Sequence, residues 1–412
     1  MQSRTSNKRK IINDPVHGFI TIPHDLIYDL IQHPYVQRLR RISQLGMSQL
    51  VYPGANHTRF HHALGAMHLM SQAINVLTKK GVEITEEEKL AAQVAILLHD
   101  IGHGPFSHTL EHSLLESVNH EEMSLMFMHK LNKEFDGQLD LAIKIFTNNY
   151  SKKFLHQLVS SQLDMDRLDY LQRDSFFTGV SEGVVGSDRI ITMLNVVEER
   201  LVVEEKGIYS IENFISARRI MYWQVYMHKT VVSSEHMLIK ILKRANFLFA
   251  QGIELFSSPY LKEFLVKNYR IDNFRSDPQL LAKFAMIDDS DLISAIKVWQ
   301  NSEDKILSIL CRNIVSRNLF KTEITKEPAD NKRIEEIKLG VIKTLGISED
   351  EIDYFVENEI LVNNAYNEKF KQILILSRNG KLQDIAMASD NLNISALSKP
   401  VEKFCLCYYN IN

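Results

Sequence analysis

The strongest restriction on the fold comes from an uninterrupted apolar segment, Val94 to Leu98, that is followed directly by His99 and Asp100. Helical spacing of the apolar residues predicts that this segment is the end of a core-facing helix. Two polar side chains at the edge of a core destabilise a protein by several kcal/mol per ion if they lack a partner. A divalent metal ion supplies that partner, because a neutral imidazole and a carboxylate both bind metals directly. The sequence therefore predicts a helical core that ends at a metal site.

A Gly-His-Gly-Pro segment at positions 102–105 ends this helix. Glycine disfavours its continuation, and the proline lacks an amide hydrogen and clashes with the preceding turn. His103 therefore leaves the helical face, which argues against His99 and His103 as a zinc pair one turn apart. We expect His99 and Asp100 to bind the metal, while His103 and His108 point at a substrate.

Two more ligands can come from other helices. His62 on the preceding helix and Asp166 on a later one would complete a set of four. Spacing alone does not separate His62 from its neighbour His61 as the ligand.

The histidines are confined to one part of the chain. All 16 lie between His17 and His236, and none follows. Because histidine is the commonest metal ligand and a common acid or base at neutral pH, the chemistry is expected in the first part. We predict a catalytic domain over residues 1–250 and a supporting or oligomerising region over residues 251–412.

Composition excludes several classes of protein. The chain has 412 residues, of which 45% are hydrophobic and 24% charged, which suits a globular protein with a large core. A net charge of -3 gives no overall basic field for nucleic acid, and short basic runs such as Arg38 to Arg41 are more typical of solvated faces or small phosphate ligands. Three cysteines late in the chain and the lack of a long apolar stretch predict a cytoplasmic protein outside the membrane.

Apolar periodicity predicts a mainly α fold. A small β-hairpin is expected to interrupt it, formed by Val196 to Val203 and Ile208 to Ile211 around a turn at 204–207. Two further strands are expected on either side of a turn at Arg378 to Lys381, which makes the C-terminal part an α+β subdomain.

Several motifs together carry a resemblance to a known family. They occur in order between residues 10 and 240, as KIINDPVHG, QRLR, QLG, YPGA, RFHH, HDIGHGPFSH and DMDRLDYLQRD. This set resembles the dNTP triphosphohydrolase branch of the HD-domain metal-dependent phosphohydrolases. The resemblance implies an HD-domain helical fold and the cleavage of dNTPs to a deoxynucleoside and inorganic triphosphate.

The resemblance also implies roles for individual residues. It implies one divalent metal ion per active site, Fe, Mn, Zn, Ni or Mg, on four ligands: His62, His99, Asp100 and Asp166. His62 is preferred to His61 because the family's ligand ends the Arg-Phe-x-His string. His103 and His120 resemble the catalytic pair near the scissile α-phosphate, with Glu111 in a position to orient His120.

Substrate contacts follow from matched positions. Those that face deoxyribose and base in the family correspond to Gln44, Leu45, Tyr170, Asp174 and Tyr226. Those that face the triphosphate correspond to Arg59, His108, Arg167 and Arg218. Arginine suits this role because its planar fork binds two phosphate oxygens at once.

The resemblance further implies a homodimer or homotetramer with an allosteric nucleotide site. Residues that match this site are Lys10, Gln37 and Arg40, but Gln32 stands where the family has an Asp that binds guanine. A neutral amide does not offer guanine the same charged, two-oxygen acceptor. We therefore expect either constitutive activity or activation by a nucleotide other than GTP or dGTP.

Two alternative functions remain open. One is an HD-type phosphodiesterase or nucleotidase that acts on cyclic nucleotides, monophosphates or oligonucleotide ends. The other is a nucleotide sensor with weak turnover, which is disfavoured because every matched ligand position carries a competent residue. Inorganic triphosphate as the product would separate the leading function from both.

Overall fold

The structure, a computed structural model, describes residues 10–106, 118–267, 269–366, 372–391, 394, 397 and 399–411. It confirms the predicted mainly α fold. Two residues with predicted roles, His108 and Glu111, lie outside the described residues.

Helices of the first 250 residues build most of the core. Their bounds are α1 Asp25–Gln32, α2 Pro34–Gln37, α3 Arg59–Lys79, α4 Glu86–Leu98, α5 His120–Glu134, α6 Asp140–Phe146, α7 Lys153–Val159, α8 Met165–Thr178, α9 Ser187–Met193, α10 Ile208–Met221 and α11 Lys229–Ala250. Short 3-10 turns span Arg38–Arg41, Ser48–Leu50, Ser181–Gly183 and Glu205–Gly207, and a π-helical turn, Tyr222–Tyr226, follows α10.

Later helices are shorter. They are α12 Pro259–Val266, α13 Ile271–Ser276, α14 Pro278–Phe284, α15 Asp289–Trp299, α16 Lys305–Val315, α17 Asn331–Leu345 and α18 Ile385–Ala388, with a 3-10 turn at Glu349–Tyr354. The described helices include none with the length and apolar character needed to cross a membrane.

Helices α3 and α4 pack against each other and place the predicted site. Thr85 and Glu88 form a capping box at the start of α4, each side chain bonding the other's backbone amide. From Ala91 to Leu98 every side chain of α4 is buried. The helix ends at Leu98, as the Gly-His-Gly-Pro segment predicts, so His99 and Asp100 stand at the edge of the core.

The strands form three small sheets. Their bounds are β1 Ile11–Asp14, β2 Gly18–Thr21, β3 Leu194–Val197, β4 Arg200–Glu204, β5 Lys321–Thr325, β6 Val356–Asn363, β7 Leu374–Leu376, β8 Leu382–Asp384 and β9 Val401–Tyr408. The sheet orders are β1-β2, β3-β4-β7-β8 and β5-β9-β6.

The predicted hairpin exists, but its bounds were wrong. Strands β3 and β4 pair antiparallel around Glu198 and Glu199, which both adopt positive φ, 49° and 59°. The segment predicted as the second strand instead begins α10. Ile211, Phe214 and Ile215 are buried at helical spacing, and this periodicity outweighs the short β-branched run at the helix start.

The C-terminal region contributes to a sheet of the first part. The predicted strand pair around Arg378 to Lys381 is confirmed as β7 and β8, and β7 also pairs in parallel with β4. Helix α11 packs against both α16 and β5. The α+β character of this region is therefore confirmed, while a domain boundary near residue 250 stays a prediction.

Candidate active site

The imidazole of His99 is fixed by its own helix. His99 is buried, and its Nδ1 donates to the carbonyl of Ile96 at 2.6 Å. Because a carbonyl only accepts, the proton sits on Nδ1 and the lone pair of Nε2 faces away from the helix. His99 therefore offers one nitrogen to whatever lies beyond the end of α4.

His62 is fixed in the same way by a carboxylate. On the first turn of α3, His61 folds back to cap the helix and accepts from the amide of Thr58 at 3.2 Å. His62 points inward, and its Nδ1 donates to Asp169 Oδ2 at 2.8 Å. The two neighbouring histidines are thus separated by the structure: His62 lies in the cluster and His61 at the helix cap.

Gly65 makes the approach of Asp169 possible. A Cβ at this position of α3 would lie 1.9 Å from Asp169 Oδ1 and 2.2 Å from Arg173 Nη2. Only glycine leaves this space for α8 beside α3. The sequence reasoning missed Asp169, although its place three residues after Asp166 puts both on one side of a helix.

Three ligand atoms converge between these helices. Asp166 Oδ1 lies 3.1 Å from His62 Nε2 and 3.4 Å from His99 Nε2, and the two nitrogens are 3.4 Å apart. Ligands that each lie about 2.0–2.1 Å from one ion, at tetrahedral or octahedral angles, are separated by roughly 2.9–3.4 Å. The cluster therefore could hold a metal ion.

Asp100 lies beside this trio. Its Oδ1 is 3.4 Å from His99 Nε2, and its Oδ2 is 3.8 Å from His62 Nε2. Arg59 donates to Oδ2 at 2.5 Å. The four predicted metal ligands are thus brought together, and a predicted phosphate contact lies against one of them.

The electrostatics of the cluster favour a cation. Burial alone would lower the pKa of His62, but hydrogen bonds to Asp166 and Asp169 raise it to about 10. Burial also opposes a charge on His99, yet the carboxylates of Asp100 and Asp166 raise its pKa. Both shifts report the same property, a concentration of negative charge between the two imidazoles.

The predicted catalytic histidines are in contact. The rings of His103 and His120 stack with centroids 3.9 Å apart. Gly102 permits this, because a Cβ there would lie 2.3 Å from the carbonyl oxygen of His120 and 2.3 Å from the amide nitrogen of Ser124. The turn after α4 can therefore pack directly on the first turn of α5. Burial, followed by the positive charge of Arg59, holds the pKa of His103 well below its ordinary value.

A buried arginine, whose basic run the sequence analysis took as typical of a solvated face or of a small phosphate ligand, instead holds the same turn. Arg38 is 1% exposed and donates to the carbonyls of Ile101 and His103, at 3.1 and 2.5 Å. Its only sequence signal is its place in the QRLR motif. It acts on the position of His103 through the backbone.

Three other predicted substrate residues carry buried polar atoms. Within the described chain, Gln44 Oε1, Arg167 Nε and Arg218 Nε are buried and have no hydrogen-bond partner. Buried polar atoms without partners are uncommon and point to a polar ligand. Arg167 also donates to Asp164 at 2.5 Å, and Leu45 packs partly buried against the core.

A second set of predicted residues forms an aromatic wall. Tyr226 donates to Asp174 at 2.8 Å, and the Tyr170 and Tyr226 rings lie edge to face at 6.1 Å. His57 donates to Asp174 at 2.7 Å and stacks on Phe177. It is buried and orients Asp174.

The predicted allosteric residues lie on the N-terminal elements. Arg40 donates to Gln37 at 2.9 Å and stacks on the Phe60 ring, while Lys10 donates to the hydroxyl of Tyr28 at 2.8 Å. The structure thus brings Gln37 and Arg40 together.

Comparison with known proteins identifies the class. The HD domain model matches residues 59–174, and the HD associated region model matches residues 185–250. The first of these segments holds the converging histidines and aspartates. The chain belongs to the HD-domain phosphohydrolase family.

Particular relatives refine this. A solved phosphohydrolase of Bacteroides thetaiotaomicron is similar with a TM-score of 0.94 and 56% identity, over 98% of this chain and all of that one. The uncharacterized protein YwfO of Bacillus subtilis is 35% identical over 76% of this chain and 72% of its own length. The deoxynucleoside triphosphate triphosphohydrolase SAMHD1 homolog of Dictyostelium discoideum is 29% identical over 89% of this chain and 70% of its own length.

Proposed function

We propose that the protein is a metal-dependent hydrolase that cleaves dNTPs to a deoxynucleoside and inorganic triphosphate. The observation that carries this proposal is the convergence of His62 Nε2, His99 Nε2 and Asp166 Oδ1 within 3.4 Å of one another, beside the stacked His103 and His120. The similarity to a protein named a deoxynucleoside triphosphate triphosphohydrolase supports the substrate class.

Four residues would hold one divalent ion: His62, His99, Asp100 and Asp166. Two imidazoles and two carboxylates suit Fe, Mn, Zn or Ni, and Mg remains a candidate. When bound, such an ion polarises a phosphate oxygen and lowers the pKa of water.

The chain's own groups position the substrate and move a proton. Arg59, Arg167 and Arg218 supply positive charge for the phosphates, and two of them keep a buried nitrogen without a partner in the described chain. One water adds to the α-phosphorus while the bond from phosphorus to O5′ breaks. His120 donates the proton that O5′ takes up. The water oxygen stays in the triphosphate, and the proton that the water gives up restores the one that His120 has lost.

The sugar specificity that we propose rests on residues that close around the deoxyribose. Gln44, Leu45 and Tyr170 are the residues we place around the deoxyribose, with Asp174 and Tyr226 next to them. A 2′-hydroxyl that finds no partner costs about 1–3 kcal/mol, or roughly tenfold to a hundredfold in rate. We expect kcat/KM for dGTP to exceed that for GTP by at least about tenfold. Equal values of kcat/KM for the two would contradict this pocket.

The test is incubation of the pure protein with each dNTP and NTP and with several metals, followed by chromatography of the products. Inorganic triphosphate from a dNTP supports the proposal. Orthophosphate, pyrophosphate or cleavage of cyclic nucleotides instead would favour an HD-type phosphodiesterase or nucleotidase. Tight nucleotide binding without any product would favour a sensor.

A pair of neighbouring histidines provides a matched control. His62→Ala should lose both metal and turnover, because it removes one of the converging nitrogens. His61→Ala should keep both, because His61 only caps α3. Metal analysis of the two purified variants decides this, and equal metal content would show that the ligand set is wrong.

We also propose that the protein is a cytoplasmic homodimer or homotetramer with a nucleotide bound near Lys10, Gln37 and Arg40. The positive side chains of Lys10 and Arg40 suit a polyphosphate, and a ligand shared by two chains stabilises their assembly by mass action. Light scattering with each nucleotide, paired with activity, tests this. A fully active monomer at micromolar concentration would exclude the assembly, and strict GTP dependence would contradict the reading of Gln32.

A further inference from the structure

One carboxylate from the C-terminal region holds two segments of the candidate active site. Asp289, the first residue of α15, accepts from the amide of Ser43 at 2.8 Å with Oδ2 and from the amide of Phe106 at 3.1 Å with Oδ1. Ser43 and Phe106 are 63 residues apart in sequence, and neither belongs to the region that carries Asp289. The two oxygens of one side chain therefore join three parts of the chain.

The first segment leads into the sugar pocket. Ser43 directly precedes Gln44 and Leu45, which we place around the deoxyribose. The same segment is bonded to the start of α3, because the Gln44 amide donates to His57 and the Arg59 amide donates to Ile42, at 3.1 and 3.0 Å. A shift of Ser43 would therefore also move the turn that carries Arg59.

The second segment carries a predicted catalytic histidine. Phe106 ends the Gly-His-Gly-Pro turn, three residues after His103. Its φ is +47°, a left-handed conformation that destabilises a residue with a side chain unless its surroundings enforce it. Phe106 is buried, and the bond from its amide to Asp289 holds the strained residue in place.

The residue next to Asp289 has different partners. The carboxylate of Asp288 pairs with Arg41 and caps α15 by accepting from the amide of Ser290 at 2.9 Å. Asp288 and Asp289 are thus neighbouring carboxylates at the same end of the same helix. They differ in what they hold, and this difference makes Asp288 a matched control.

We propose that Asp289 is a positioning residue that sets the spacing between the sugar-binding segment at Ser43–Leu45 and the His103 turn. This inference rests on the proposed function for its effect on catalysis. It gives the region beyond residue 250 a part in the active site. Only a carboxylate fulfils the role, because it accepts on both oxygens, whereas an amide offers one acceptor and places a donor against the second N–H.

The first test does not depend on turnover. Hydrogen exchange of the Ser43 and Phe106 amides should become at least tenfold faster in Asp289→Asn and change less than twofold in Asp288→Asn. Unchanged exchange of both amides in Asp289→Asn would overturn the proposal. Since this readout needs no substrate, it decides the role of Asp289 even if the protein hydrolyses no dNTP.

The second test separates positioning from a loss of folded protein. In Asp289→Asn, KM for the preferred dNTP should rise and kcat should fall, each about tenfold, and the preference for dNTP over NTP should shrink. A smaller folded fraction lowers the apparent kcat but changes neither KM nor the substrate preference. Wild-type KM and preference in Asp289→Asn would therefore overturn the proposal.

A longer carboxylate covers the case in which Asp289→Asn does not fold. Asp289→Glu keeps the charge and both acceptor oxygens but adds one methylene between the helix and the two segments. Positioning predicts an altered KM and an altered preference for dNTP over NTP in this variant. If both stay at wild-type values, charge alone is sufficient and the proposal is wrong.

Discussion

Buried side chains outside the metal cluster fix the orientation of the candidate metal ligands. His62 is held by Asp169, which also accepts from His17 at 2.6 Å and from Arg173 Nε at 2.9 Å. Arg173 in turn donates to Asp14 at 2.8 Å. This buried chain sets the tautomer of His62, because its Nδ1 proton is committed to a carboxylate.

The first prediction concerns that carboxylate. Asp169→Asn removes the charge that fixes His62, so metal affinity should fall about 10–100-fold. Titration of the metal-free protein with the metal ion, followed by calorimetry, measures this affinity. Asp174→Asn is the control on the same helix, since its carboxylate bonds His57 and Tyr226, and it should retain wild-type affinity. Equal affinities in the two variants would contradict the role of Asp169.

The second prediction concerns pH and a carboxyl outside the metal cluster. Burial raises the pKa of Glu235 from 4.5 to about 7, His236 offsets the shift in part, and Glu359 adds to it. Its oxygen lies 3.6 Å from the position of a Cβ on Gly46. Because the folded state holds this proton more tightly than the unfolded state, stability should fall as the pH rises from about 4.5 to about 7.

Glu235→Gln should remove this loss. The melting temperature of the variant should match that of the wild type near pH 4.5 and exceed it above pH 7. The exposed Glu336 on α17 is the control, and Glu336→Gln should follow the wild type throughout. A constant difference between Glu235→Gln and the wild type across this range would contradict the assignment.

Two secondary-structure elements, α4 and α5, meet at the candidate site in a close contact that depends on glycine. The turn after α4 packs against the first turn of α5, where Gly102 donates to the Ser124 hydroxyl at 2.9 Å. This contact stacks His103 on His120 and needs the space that a glycine leaves. The packing of the turn after α4 on α5 therefore brings the motif that contains His103 next to His120.

Gly102→Ala is the prediction for this contact. Its Cβ would overlap backbone atoms, which cannot move as a flexible side chain does, so the variant should lose about 1–3 kcal/mol of unfolding free energy and most of its activity. Urea denaturation measures the first effect. Gly186→Ala is the control, because the nearest atom to its Cβ is 3.8 Å away, and it should stay within about 0.5 kcal/mol.

The parts of the chain before and after residue 250 are joined by a shared sheet and by hydrogen bonds. Strand β7 pairs in parallel with β4, and Asp289 bonds the segments at Ser43 and Phe106. Trp299 on α15 is 2% exposed and donates to the carbonyl of Phe256. The later region is thus built into the fold near the catalytic helices.

A truncation tests this integration. A fragment of residues 1–250 should unfold without a cooperative transition, because β4 would keep β3 but lose its other partner, β7, and α11 would lose its contacts with α16 and β5. Circular dichroism during heating measures this against the full chain. A sharp transition within a few degrees of the full chain would instead support an independent domain that ends near residue 250.

The sequence predicts those parts of the molecule that local patterns determine. The end of α4 and the mainly α fold follow from apolar spacing and the Gly-His-Gly-Pro breaker. The convergence of His99 and Asp100 with other helices does not, because spacing leaves His61 and His62 open and the resemblance to a known family decides between them. Strands depend on their partners: the charged segment that begins at Lys321 forms β5 because it pairs with β9. Asp169 and Asp289 act across 107 and 246 positions of sequence. Spacing from Asp166 puts Asp169 on the same side of α8, but no local pattern identifies the distant partners of either residue.

The most direct measurement of the proposed reaction is the fate of oxygen when a dNTP is hydrolysed in ¹⁸O-labelled water with the metal supplied. Cleavage between the α-phosphorus and O5′ predicts one ¹⁸O atom in inorganic triphosphate and none in the deoxynucleoside, as read by mass spectrometry of the two products. Label in orthophosphate or pyrophosphate would place the attack on another phosphorus. Either of those results, or label in the deoxynucleoside, would contradict the reaction assigned to this site.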